Sequence, residues 1–295
     1  MATLSLAGAG LALVADAWGP DDGPPVLLLH GAGQTRHAWR STGELLGGHG
    51  WRAVAVDLRG HGDSDRAADG RYVLRAFADD VLGLARAMPG PPVLIGASLG
   101  GLASLVAIAE GGPGTASGLV LVDIATHVER SGSARVQDFM RRHPDGFDSL
   151  EEVAAAVSAF RPERPPTNDV SRLRRNVRRR PDGRWEWHWD PRLMDGGVDS
   201  LTHEVRNVHT GEVELAHRAV VRAAARAVTL PTLLVRGQRS ELISDESVRQ
   251  LQADMPHADY VNVRDAGHMV VGDDNAAFND AVLAFLRSLR PASRR

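Results

Sequence analysis

At 295 residues and 43% hydrophobic content, the chain suffices for one large α/β domain or for one domain carrying an insertion. A formal net charge of −3 points to no nucleic-acid or anionic-membrane partner, and the absence of cysteine excludes disulfides, thiolate metal sites and a cysteine nucleophile. All 34 basic residues are arginine, which reads as coding bias rather than mechanism.

The first 13 residues are apolar but lack a basic leading region, so they do not read as a signal peptide. Alternating leucines around Gly8-Ala9-Gly10 predict a β-hairpin. No apolar run approaches the ~20 residues of a membrane span. A soluble, cytoplasmic protein is expected, without membrane partners; composition sets no oligomeric state. Strands are predicted at 3–7, 11–16, 25–30, 53–57, 92–97, 119–124, 231–236 and 259–264. Helices are predicted at 36–48, 74–88, 99–110, 245–254 and 274–289. Short apolar runs alternating with helices imply a mostly parallel eight-stranded sheet with helices on both faces.

Residues 126–228 break this alternation. They hold an amphipathic stretch at 134–142, an acidic helix candidate at 149–160 and a proline-rich break at 162–166. An arginine-dense run at 172–180 follows and reads as a solvated helical face, with recognition of an anionic substrate as the alternative. Trp185, Trp187 and Trp189 then alternate with polar residues, and a helix closes the segment at about 211–227. An extended backbone places the three indoles on one face, where they line an apolar pocket or anchor the segment to the core.

In sheets of this kind, sites form at the carboxyl ends of the strands. His30, Asp57, Ser98, Asp123 and His268 all fall at or just after such ends. Ser98 lies in Gly96-Ala97-Ser98-Leu99-Gly100, entered from an apolar strand and left through a helix. A tight strand-to-helix turn forces strain on the serine, and flanking glycines admit the close neighbours. The helix start behind it, beginning with the Leu99 N–H, offers free donors to a developing negative charge. The plainer alternative is a Gly/Ser loop, since G-x-S-x-G also occurs by chance. His30-Gly31-Ala32-Gly33 is not a dinucleotide loop: Arg36 stands where the third glycine of G-x-G-x-x-G belongs. No metal-ligand spacing is present; His203, His209 and His217 suit exposed helices.

The blocks His30-Gly31-Ala32-Gly33, Asp57 to Ser64, Ile95 to Gly101 and Ala266-Gly267-His268, in this order, resemble the α/β-hydrolase superfamily. They resemble its serine-nucleophile, cap-bearing members, among them esterases, lactonases and cofactor-free perhydrolases. The resemblance spans roughly residues 20–125 and 229–290. It implies a hydrolase core of residues 1–125 and 229–295 with 126–228 as a helical cap. It further implies Ser98 as nucleophile, His268 as its base, and an oxyanion hole from the N–H groups of Ala32 and Leu99.

The triad acid departs from the common pattern. After Gly237, many relatives carry aspartate three residues on; this chain has Ser240 there and Glu241 next. Glu241 is the favoured acid, with Asp123 at the end of the sixth strand as the alternative that some members use. The expected activity is cofactor-free hydrolysis of a small ester, lactone or thioester through an acyl-enzyme. Carbon–carbon bond hydrolysis is less favoured, because similar proteins place tryptophan soon after the histidine and this chain has Met269-Val270-Val271. A recruited cyclase or isomerase, or a small-ligand-binding signalling protein, remain the competing classes.

Overall fold

The computed structural model describes residues 1–162, 169–194, 211–264, 267 and 276–289. Strands β1 (Ala2–Ala7) and β2 (Ala12–Trp18) form the expected antiparallel hairpin. β3 (Pro25–Leu29), β4 (Arg52–Val56), β5 (Val93–Ala97) and β6 (Gly118–Val122) follow. Two short strands, β7 (Val177–Arg179) and β8 (Trp185–Trp187), pair with each other outside the main sheet, and Trp185 also bridges Phe147. β9 (Thr232–Gly237) and β10 (Asp259–Val263) return to the main sheet. Its order is β1-β2-β4-β3-β5-β6-β9-β10, parallel from β4 onwards.

The central strands are apolar because both faces are covered. Leu27, Leu29 and Leu94 feed one core; Val26, Leu28 and Ile95 feed the other. Helices α1 (Arg40–Gly48) and α8 (Ala276–Ser288) close the second face through Leu46, Phe278 and Val282. Helices α2 (Leu74–Ala87), α3 (Leu99–Gly111) and α7 (Asp245–Asp254) close the first through Phe77, Leu105 and Leu251. A reciprocal Ser244–Ser247 capping box starts α7.

Between β6 and β9 the chain inserts α4 (Arg130–Arg141), α5 (Leu150–Phe160), the β7–β8 hairpin and α6 (Gly211–Ala227). This segment is less purely helical than the sequence predicts. The arginine run forms a 3-10 turn at Val170–Arg175 and then β7, not a helical face. The hairpin turn explains the difference. Gly183 adopts φ +88°, and Arg180 N–H donates to the Arg184 carbonyl at 2.8 Å. The predicted helix at 36–48 likewise begins as a 3-10 turn, Arg36–Trp39. Among the described residues no helix is long and apolar enough to cross a membrane.

Candidate active site

One residue separates β5 from α3, and it is Ser98. Its backbone lies at φ 46°, ψ −114°, a strained conformation for a residue with a Cβ. The surroundings impose it. Ser98 N–H donates to the Val122 carbonyl at 3.2 Å, and its own carbonyl accepts from Gly101 and Leu102 N–H at 3.0 and 3.1 Å. A Cβ on Gly96 would stand 2.5 Å from the Gly100 carbonyl group, and one on Gly100 would overlap the Leu29 carbonyl oxygen. The two glycines therefore let helix α3 press against β5 and β3, which leaves the half-buried Ser98 side chain on the wall of a cavity.

The loop after β3 lies beside it. Gly100 N–H donates to the His30 carbonyl at 3.2 Å, so the helix start and the loop are joined. A Cβ on Gly31 would approach Ser98 Cβ to 3.2 Å. Gln34 Oε1 accepts from Gly31 N–H at 2.9 Å, and Gln34 N–H donates back to the Gly31 carbonyl at 3.1 Å. Ala32 and Leu99 are both half-buried at this junction. As the first residue of α3, Leu99 has no acceptor for its N–H within the helix.

Beneath the loop lie buried polar groups, of which the sequence resemblance gives a role only to His30, as a structural histidine that organises the loop. Buried Arg36 ion-pairs with Asp57, with Asp63 at 2.8 Å and with Asp16 at 3.2 Å. Its backbone N–H adds a bond to Asp57 Oδ1 at 2.6 Å. Three buried histidines stand in a row: His30 to His61 with ring centroids 5.0 Å apart, His61 to His188 with 5.9 Å. His30 donates from Nδ1 to the Gly31 carbonyl at 2.8 Å and accepts from Leu58 N–H at 3.0 Å. His61 donates from Nδ1 to the Arg59 carbonyl at 2.9 Å and accepts from Gly33 N–H at 3.2 Å. Burial lowers His30 to about 4 and His61 to about 3, and holds His188 well below the usual histidine range. His61 belongs to a block the sequence singles out; His188 carries no signal beyond its tryptophan neighbours.

The cavity holds about 760 Å³. Gly31, Ala32, Gly33 and Ser98 line it from the sheet side. The inserted segment supplies an aromatic wall of Phe139, Phe160, Trp187 and Trp189. Phe139 stacks on Phe160 with centroids 4.2 Å apart, and Trp187 on Trp189 with 4.7 Å. Arg161, Arg175 and His37 add polar wall. Burial, then the neighbouring Arg36 guanidinium, lowers the His37 pKa. Trp185 does not line the cavity: its ring carries the guanidiniums of Arg174 and Arg179 at 5.5 and 5.8 Å.

The two carboxylates weighed as the acid occupy different settings. Asp123 is fully buried at the end of β6, at φ 48°. It accepts from Gly237 N–H at 3.0 Å and from the Ser240 hydroxyl at 2.6 Å. Glu241, favoured from sequence, is exposed and ion-paired with Arg135 of α4 at 2.5 Å. The reason is close packing: a Cβ on Gly132 would stand 2.7 Å from the Glu241 carbonyl carbon, so α4 lies directly over this loop. His268 lies outside the described residues, as do His203 and His209.

A family model for the α/β-hydrolase fold matches residues 24–274, and the chain belongs to that family. It is 30% identical over 286 residues to an esterase of Mycobacterium tuberculosis, covering 93% of this chain and 86% of the relative. It is 28% identical over 208 residues to a 2-(acetamidomethylene)succinate hydrolase of Mesorhizobium japonicum, covering 70% and 68%. The solved structure of the M. tuberculosis esterase superposes with a TM-score of 0.72 at 27% identity, covering 97% of this chain and 92% of that one. An E-2-(acetamidomethylene)succinate hydrolase structure gives a TM-score of 0.79 at 24% identity over 97% and 99%, a likeness of fold.

Proposed function

We propose that this protein is a serine hydrolase that cleaves a small-molecule carboxylic ester, lactone or thioester through an acyl-enzyme on Ser98. The observation that carries this reading is the strained Ser98 backbone, φ 46°, at a strand end facing a 760 Å³ cavity. Strain of this kind persists only where the surroundings over-determine it, and it clusters at functional sites. The esterase relative supports the same class.

In this mechanism His268 takes the Ser98 hydroxyl proton as Oγ attacks the acyl carbon. The N–H groups of Ala32 and Leu99 receive the charged oxygen of the tetrahedral species. His268 then gives its proton to the leaving alcohol or thiol. Water, deprotonated by His268, releases the acid and restores Ser98. Asp123 orients His268 in place of Glu241, because a buried, hydrogen-bonded carboxylate beside the end of β5 suits that task and an exposed, arginine-paired one does not. Residues 126–228 act as the cap over a core of 1–125 and 229–295. Trp187 and Trp189 pack against the substrate's apolar part, whereas Trp185 supports the hairpin. Arg161 and Arg175 on the wall suit a substrate that also carries a carboxylate, the chemistry in the name of the Mesorhizobium relative.

Fluorophosphonate labelling of wild type and Ser98→Ala tests the reading, followed by turnover on neutral and carboxylate-bearing esters, lactones and thioesters. Labelling at Ser98 with hydrolysis that vanishes in Ser98→Ala is the expected result. Turnover near the wild-type rate in Ser98→Ala overturns it. Labelling without turnover on any class favours a ligand-binding role.

A further inference from the structure

Gly33, at φ +73° in the loop after β3, has both backbone polar groups held by imidazoles. Its N–H reaches His61 Nε2 of the core at 3.2 Å, and its carbonyl faces His188 Nε2 of the inserted segment at 3.3 Å. The His188 tautomer follows from its other nitrogen. Nδ1 accepts from Gly62 N–H at 2.9 Å, so the proton sits on Nε2 and points at Gly33. The ring is 2% exposed and stands edge-on to Trp189, with centroids 5.2 Å apart. The chain around it is docked as well. His188 N–H donates to the Asn176 carbonyl at 3.1 Å, and Asp190 N–H to the Gly60 carbonyl at 2.8 Å. Asp190 Oδ2 accepts from the Tyr72 hydroxyl at 2.6 Å.

We infer that His188 is a positioning residue for the reaction: it reaches from the inserted segment to fix Gly33, and through Gly33 the aim of the adjacent Ala32 N–H. The inference rests on the proposed role of Ala32 as an oxyanion donor. Its consequence is a coupling between two parts of the chain. The donor loop is completed by the inserted segment, so seating that segment over the cavity also sets the geometry in which charge develops on the substrate oxygen. Trp189, next in sequence and on the cavity wall, places a substrate-facing indole on the same short stretch. A bulky substrate pressing on Trp189 therefore acts on a residue covalently joined to the loop's anchor.

Two substitutions divide the ring's two bonds. Asparagine places an acceptor where Nδ1 stands and keeps the Gly62 contact, but has nothing at Nε2. Glutamine extends far enough to return a donor to the Gly33 carbonyl and loses the Gly62 contact. His188→Asn is expected to lower kcat by about 10- to 100-fold, approaching the cost of one lost oxyanion donor, with KM changed less than about threefold. His188→Gln is expected to recover most of that loss. Both variants lose some thermal stability, which a purely structural role also predicts; the kcat split between them is what such a role does not move. Equal kcat in the two variants overturns the inference. A measurement on the wild type stands independently of whether either variant folds. With ¹⁵N-histidine, a boronate adduct on Ser98 is expected to shift the His188 Nε2–H signal, and an unmoved signal overturns the inference too. If a fluorophosphonate fails to label wild-type Ser98, the hydrolase reading itself has failed, and that result is separate from the Asn/Gln comparison.

Discussion

The Ser240 hydroxyl donates to Asp123 Oδ2 at 2.6 Å. The two side chains meet across neighbouring strands, one just after β6 and the other just after β9. Ser240 also accepts from Leu242 and Ile243 N–H at 3.1 and 3.2 Å, so the hydroxyl proton is directed to the carboxylate. Ser240 stands where similar hydrolases carry their aspartate, and in this chain it instead braces an aspartate on the adjacent strand.

Asp123→Asn should therefore cost far more activity than Glu241→Gln. The amide removes the charge that stabilises an imidazolium, a change worth ~10⁴ in kcat in a serine-protease triad. Glu241→Gln breaks only a solvent-exposed ion pair with Arg135, which contributes roughly 0–1 kcal/mol. Adding Ser240→Asp to the Asp123→Asn background returns a carboxylate to the same neighbourhood and should recover part of kcat. All three are read on one activated ester across pH 6–9. Collapse in Glu241→Gln with Asp123→Asn active would return the role to the loop after β9.

The difference between these two carboxylates marks where the sequence stops being legible. Strand ends are local features, so an apolar run ending at Asp123 or Ser98 is visible in a few residues, and helices at 74–88 and 245–254 appear as Leu74–Ala87 and Asp245–Asp254. Which carboxylate faces inward depends on Arg135, more than a hundred residues from Glu241 in the chain. The β7–β8 hairpin was hidden for another reason. Its strands are three residues each and, apart from Val177, carry arginine, tryptophan and glutamate rather than an apolar run, although Pro181-Asp182-Gly183 is a turn sequence. His188 binds Gly62 from 126 positions away, a pairing that no local periodicity encodes.

Stability should fall steeply on mild acidification. His30 titrates at about 4, His61 at about 3 and His188 well below the usual range, whereas an unfolded histidine titrates near 6.5. Folded-state values below the unfolded one mean that the unfolded chain binds more protons below pH 6.5. The stabilisation is thus intact above pH 6.5 and declines as pH falls towards the folded values. Each such histidine adds a slope of about 1.4 kcal/mol per pH unit. Urea unfolding at intervals from pH 7 to 5 should give a slope that rises towards about three protons from these rings, with the lowered His37 adding to it, and His188→Gln should remove about one. A flat profile between pH 6.5 and 5 contradicts the buried, neutral assignment.

Trp187→Ala should separate binding from chemistry. The indole is 6% exposed and packs on Phe139, Phe147 and Trp189 with centroids 4.7–5.2 Å apart. Truncation removes cavity wall and should raise KM for long-chain and aryl esters by about tenfold, the scale of one to two lost methylene contacts. A small acetyl ester should keep its kcat. Deleting a buried aromatic costs about 3–5 kcal/mol, so thermal midpoints are measured alongside. Equal KM changes across acyl sizes would leave the indole a purely structural role.

Two glycine-to-alanine changes should move stability in opposite directions. Gly100 sits in the first turn of α3, and its new methyl group would meet backbone only: the Leu29 carbonyl carbon at 2.7 Å and the His30 carbonyl oxygen at 2.8 Å. Neither can rotate away, so α3 must shift outward and strain its 3.2 Å bond from Gly100 N–H to His30. Overpacking of this kind costs about 1–3 kcal/mol. Because Ser98 and the loop after β3 are joined through that same bond, kcat should fall as well, even in the fraction that remains folded. Gly48, the last residue of α1, has nothing within 4 Å of its added methyl and no positive φ. Alanine there restricts the unfolded chain and favours the helix, which stabilises by roughly 0.4–1 kcal/mol without touching the cavity. Urea midpoints and kcat on both variants decide the matter. A Gly100→Ala protein with unchanged kcat would mean that the contact between α3 and the loop does not set the position of Ser98.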